Sequence, residues 1–172
     1  MMAELDNEIS ELLFSMKQIT LDEMSGIRLM NRLDTKYVAS KKQLIELLRL
    51  VQDKYYVQET LGNRIIPYCT TYFDTAGHEM YLMHHNKRAR RMKVRVRTYV
   101  ASELTFLEVK TKNNHGRTKK KRIEVTDMDL GDPAKREFLG SHLRYDVDSL
   151  MPALNNHFNR ITLVNHAKTE RL

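Results

Sequence analysis

With 172 residues, 41% of them hydrophobic, the chain is long enough for one domain with a real core, and residues 1–17 read as an N-terminal extension of it. No apolar run approaches the roughly eighteen residues of a membrane span, the N-terminus MMAELDNEIS lacks the basic and apolar regions of a secretory signal, and the one cysteine, Cys69, fits a reduced compartment, so a cytoplasmic setting is expected. The net charge of +7 is uneven: from Lys87 to Arg122 fourteen Lys and Arg stand against Glu103 and Glu108, a local +12 that leaves −5 for the rest. Such a block attracts polyanions, whether nucleic acid, anionic headgroups or a small molecule with several phosphates.

In chain order, residues 29–39 (LMNRLDTKYVA) read as a strand, and Ser40 caps a helix over KKQLIELLRLV. Leu44, Ile45, Leu47, Leu48 and Val51 form one apolar face of that helix, and Gln43 completes a capping box with Ser40. YYVQET (55–60) and RIIPYCTTYF (64–73), separated by Leu61, Gly62 and Asn63, read as a hairpin. RRMKVRVRTYVA, ELTFLEVKTK and RTKKKRIEV give three more strands, the last two joined by Asn113, Asn114, His115 and Gly116. An antiparallel meander is the economical arrangement. Asp132 and Pro133 open a helix that Gly140 can close, and NHFNRITLVN (156–165) is strand-like.

Strand period places Arg91, Lys93, Arg95, Arg97 and Tyr99 on one face and Met92, Val94, Val96 and Thr98 on the other. The same alternation groups Phe106, Glu108, Lys110 and Lys112, then Thr118, Lys120, Arg122 and Glu124, then Arg32, Asp34 and Lys36. Like charges side by side destabilise a sheet, so a face this dense in cations calls for an anion. The glycines form neither a Walker A loop nor G-x-G-x-x-G, so side chains must carry the charge. Arginine would hold phosphate oxygens at two points and lysine would act as a movable point charge.

The segments NRLDTKYV (31–38), TTYFDT (70–75), RRMKVRVRTY (90–99), FLEVKTK (106–112), RTKKKRI (117–123) and FNRITL (158–163) resemble, in order, the VTC-type polyphosphate polymerase domain, a branch of the triphosphate tunnel metalloenzymes. The resemblance implies an α+β fold whose antiparallel strands close into a tunnel or barrel with basic side chains inside and helices flanking it. It implies phosphate contacts by Arg32, Lys36, Arg95, Arg97, Lys110, Lys120 and Arg160, to which alternation adds Arg122, and catalytic parts for Lys36, Arg95, Arg97 and Lys110. The implied reaction passes the terminal phosphoryl group of ATP to a growing polyphosphate chain, with Mn²⁺ or Mg²⁺ as cofactor. Family domains continue beyond the strand in which this chain stops, so an incomplete tunnel without the late metal-binding glutamate is expected. Glu108 could approach a metal or brace Lys110 and Arg97, and the cations around it favour bracing.

Other residues carry plainer readings. His84 and His85 would fall on opposite sides of a strand, as surface histidines; Cys69 reads as a buried structural thiol; Asp74 reads as a turn cap. Tyr72 and Tyr99 read as packing residues or phosphate-donor hydroxyls. The expected partners are a nucleoside triphosphate and inorganic polyphosphate. Nucleic acid is disfavoured because, apart from Phe106 and Tyr99, the basic strands expose no aromatic platform. A triphosphate hydrolase and a non-catalytic polyphosphate or inositol phosphate module are the alternatives; a membrane-protein partner and a homo-oligomer joined through an open sheet edge are both compatible with the sequence.

Overall fold

The computed structural model describes residues 2–25, 35–114 and 117–172. The chain forms two compact units, Met1–Ile66 with Asn159–Leu172, and Pro67–Phe158.

The first unit contains α1 (Met2–Ser15), β1 (Gln18–Ile19), α2 (Leu21–Ser25), α3 (Lys41–Val51), β2 (Tyr55–Gln58) and a late strand (Leu163–Asn165), named β8 in chain order. Ile9 and Leu13 of α1 pack with Met16, Ile45 and Leu48 against Val57 and Leu163. The Ser40 side chain accepts from the Gln43 backbone and Gln43 reaches back, so the expected capping box forms and sets where α3 begins. Lys41 pairs with Asp6 at 2.6 Å, pinning α3 to α1 at the surface. β2 lies between β1, parallel to it, and β8, antiparallel.

The second unit is built on β3 (Ile66–Asp74), β4 (Arg91–Tyr99), β5 (Leu104–Lys112), β6 (Thr118–Glu124) and β7 (Met151–Arg160), with helices α4 (Glu79–His85) and α5 (Pro133–Gly140). The strand order is β6-β5-β4-β3-β7, an antiparallel sheet that is open among the described residues, with β6 and β7 at its edges. Alternation turns Phe73, Met92, Val94, Val96, Leu107 and Val109 to one face, where Met80 of α4 and Leu139 of α5 cover them. Asp132 caps α5 through Ala134 N and Lys135 N, with Pro133 in the first turn. That core is what holds the opposite face of the sheet in register.

Three expectations need correction. YYVQET and RIIPYCTTYF are not a hairpin: Leu61 and Gly62 do turn the chain between the Thr60 and Asn63 bridge, but β2 then joins β1 and β8 while β3 joins β4 and β7. Residues 35–39 form no strand and 29–34, with Arg32, lie outside the described residues; His115 and Gly116 also lie outside them. NHFNRITLVN is not one strand, since β7 stops at Arg160 and β8 starts at Leu163.

Candidate functional site: the cationic face of the second sheet

The register stacks the charged side chains in cross-strand rows. Lys93 pairs with Lys110, and Lys110 with Lys120; Arg95 pairs with Glu108, and Glu108 with Arg122; Arg97 pairs with Phe106, and Phe106 with Glu124; Arg91 pairs with Lys112, and Lys112 with Thr118. On the other side of β4, Tyr72 is opposite Arg95 and Thr70 opposite Arg97. Eight cations from three strands therefore share one face with Glu108 and Glu124.

These are not eight solvated side chains. Arg95 and Arg97 are each 8% exposed and Glu108 is 0% exposed. Arg95 grips Glu108 Oε2 with Nε at 2.7 Å and its terminal nitrogen at 2.6 Å, while Lys120 Nζ donates to Glu108 Oε1 at 3.1 Å. Burial alone would raise the Glu108 carboxyl, yet Arg95 and Lys120 hold it below the usual glutamate range. Burial opposes the charge on Arg95 as well, and Glu108 overrides it so that the guanidinium is raised. Glu108 thus braces Arg95, directly opposite it on β4, and Lys120, diagonal to it on β6, not the expected Lys110 and Arg97.

Arg97 is the contrasting case. Its Nε donates to Thr70 Oγ1 at 3.0 Å, and its guanidinium lies 5.3 Å from the Tyr68 ring and 5.5 Å from Phe158, which stack on each other at 5.2 Å. Burial and the adjacent Arg95 lower its pKa, so this guanidinium is charged in a place that resists charge. Ring faces soften that cost without neutralising it. Arg122 lies 4.3 Å over Phe106, which meets Tyr99 edge to face. Aromatic rings are therefore more numerous on this face than the basic strands alone suggested, and they sit under guanidinium groups and against one another.

The remaining named residues fall as follows. Lys36 is exposed and outside any strand, and Arg160 ends β7; both belong to the first unit. Cys69 has a histidine neighbour, its Sγ 3.1 Å from His157 Nδ1, and is half-buried instead of fully buried. Eighty-eight residues separate the two, so no local spacing could reveal the pair. His84 and His85 lie on helix α4, not on a strand: His84 Nε2 is 3.4 Å from Lys93 Nζ and His85 stacks on Tyr81. Asp74 is a cap as expected, but of α4, accepting from Met80 N at 3.0 Å and Tyr81 N at 2.9 Å as well as from Thr75 N. A cavity of about 540 Å³ beside α4, lined by Phe73, Met80, Tyr81 and Leu154, shares Tyr72 and Lys93 with the cationic face.

A divalent cation does not fit the described residues. No three His, Cys, Asp or Glu side chains among them are grouped to hold one, and Glu108 has both oxygens engaged by Arg95 and Lys120 amid further cations.

An α+β unit whose antiparallel sheet has one apolar face and one face of registered cations, Arg95 and Arg97 buried among them, defines the class of protein. The family model of the VTC domain matches residues 31–172, and the chain belongs to that family. No curated protein matches the chain. Among solved structures it is similar to a Vibrio parahaemolyticus protein proposed to be an adenylate cyclase, at 8% identity and a TM-score of 0.43, over 75% of this chain and 59% of that one. The chain thus corresponds to less than two thirds of that structure's length. No described helix is long and apolar enough to cross a membrane.

Proposed function

We propose that the cationic face binds linear phosphate anions, a nucleoside triphosphate and inorganic polyphosphate, and that it aligns them for transfer of the terminal phosphoryl group to the polyphosphate chain. The observation that carries this reading is the burial of Arg95 and Arg97 side by side with a single buried carboxylate, Glu108, between them and Lys120. A buried charge left without a partner costs several kcal/mol, about 3–5, so a fold keeps it where a ligand offsets it. Arg97, Lys110 and Arg122 are left to face the ligand, with Arg95 and Lys120 shared between it and Glu108. Phosphoryl transfer asks chiefly for alignment of the two oxygens and neutralisation of charge on the others, which is what a rigid row of guanidinium and ammonium groups supplies. Arg32, Lys36 and Arg160 are proposed as phosphate contacts on the family resemblance alone.

Calorimetric titration with tripolyphosphate tests the binding: affinity falls as salt rises, and Arg95→Ala with Arg97→Ala removes most of it. Equal binding by the double variant refutes the assignment. Incubation with ATP and either Mn²⁺ or Mg²⁺, read on a gel for polyphosphate and by released phosphate, separates polymerase from hydrolase.

A further inference from the structure

Lys110 occupies the middle of a straight cross-strand row, with Lys93 directly opposite on β4 and Lys120 directly opposite on β6. Paired residues in a sheet have Cβ atoms about 4.5–5.5 Å apart, so three ammonium groups crowd into roughly a nanometre. The outer two have outlets: Lys120 reaches Glu108 Oε1 at 3.1 Å and Lys93 lies 3.4 Å from His84 Nε2. Among the described residues Lys110 makes no ion pair of its own. The charged groups around it are Lys93, Arg95 and Arg97 on β4, Glu108 and Lys112 on β5, and Lys120 and Arg122 on β6, with Tyr72 of β3 and His84 of α4 beyond them. Glu108 alone among these is anionic, and both its oxygens are taken. Burial, then Arg95, with Lys120 and Arg97 adding to it against Glu108, pushes the Lys110 ammonium down to about 8.

Resting on the reading of this face as a phosphate-chain site, we propose that Lys110 sets its preference for long chains: the middle ammonium of the row, crowded by Lys93 and Lys120, is matched by negative charge when a linear anion lies across all three. A single phosphate group can sit at one end of the row, against Lys120 and Arg122 or against Lys93, and leaves the middle ammonium as crowded as before. A chain of phosphates spans all three side chains and brings negative charge to the middle one, which makes no ion pair among the described residues. Lys110 thus reads the length of the anion, not the charge of one group, and above about pH 8 it does so by taking up a proton.

The consequence is a pH-dependent preference. Where the empty site has lost the Lys110 proton, binding of the chain must recover it, and affinity falls by up to about tenfold for each further pH unit. Tripolyphosphate and inorganic phosphate, titrated separately by calorimetry with a chelator present and ionic strength held constant, test this at about pH 7 and about pH 9. Tripolyphosphate titrates in the same range, so the reference is Lys110→Arg, whose charge is permanent and whose ligand protonation is identical. Between the two pH values the parent is expected to lose about tenfold more tripolyphosphate affinity than Lys110→Arg, while inorganic phosphate affinity changes equally in both. Lys110→Met, which has no proton to regain, gives the same difference from the parent and stands in if the arginine disturbs the fold. A parallel fall for tripolyphosphate in parent and variants overturns the proposal while leaving the face as a phosphate site. Absence of tripolyphosphate binding by the parent at about pH 7 overturns both.

Discussion

The two faces of the second unit's sheet come from the same strands by the same alternation, yet they hold the fold in opposite ways. On the apolar face Val94, Leu107, Val109 and Leu139 are fully buried, and each contributes stability through apolar area removed from water. On the cationic face Arg95, Arg97 and Glu108 are buried to nearly the same degree, and their contribution is a near balance between desolvation and pairing. Equal burial therefore does not mean equal stabilisation. One face makes the sheet; the other keeps charge in readiness at a cost that the first face offsets.

Substitutions that treat the faces differently sharpen this contrast. Glu108→Ala should lower stability most, by about 3–5 kcal/mol in denaturant unfolding, because it strands Arg95 and Lys120 among other cations. Leu139→Ala should cost about 2–5 kcal/mol through the cavity it leaves, with tripolyphosphate affinity unchanged under native conditions. Arg97→Ala should do the reverse, losing about ten- to a hundredfold in tripolyphosphate affinity by calorimetry while stability holds or rises.

Smaller effects come from titration. The Lys110 ammonium is held below its unfolded value, so the unfolded chain binds more protons between about pH 8 and the ordinary lysine range. Stability should therefore rise through that window, and thermal unfolding of Lys110→Met should lack the rise. At the acid end, hydrogen bonds from Lys135, the Asp129 backbone and Thr126 hold Asp127 down to about 2. Its contribution is present above the unfolded aspartate value near 3.8 and should fade as pH falls from there towards about 2, a loss that Asp127→Asn removes.

Much of the second unit could be read from the sequence because its information is local. Alternation in RRMKVRVRTY, ELTFLEVKTK and RTKKKRIEV needs only a period of two, and it places the side chains of β4, β5 and β6 on the faces they occupy. Ser40 with Gln43, and Asp132 with Pro133, mark helix starts through signals that lie within three residues of each other. What escaped was pairing at long range. The turn at Leu61–Gly62 shows that the chain reverses, but not that β2 will choose β8, more than a hundred residues away. Helix α4 has just seven residues and owes its start to Asp74, a strand residue whose carboxylate holds the first amides, so YLMHH carries no helical period long enough to detect.

Lys135 was invisible for a related reason. It is 4% exposed in α5, yet its ammonium is fully engaged by Asp127 O at 3.2 Å, Asp129 O at 2.9 Å and the Asp127 carboxylate, tying the loop before α5 to the helix. A charged residue on an amphipathic helix reads as solvent-facing until the loop that folds over it is known.

Strand β6 offers the most direct test, since it carries four consecutive cations whose side chains alternate: Lys120 and Arg122 share the face of Glu108, while Lys119 and Lys121 point the other way. Lys120→Ala with Arg122→Ala and Lys119→Ala with Lys121→Ala remove the same charge from the same edge strand. Calorimetric titration of both double variants with tripolyphosphate at one ionic strength should show the first weakened by about tenfold or more and the second within about twofold of the parent. Equal weakening of the two would mean that the anion responds to net charge alone, and would contradict a site built on one face.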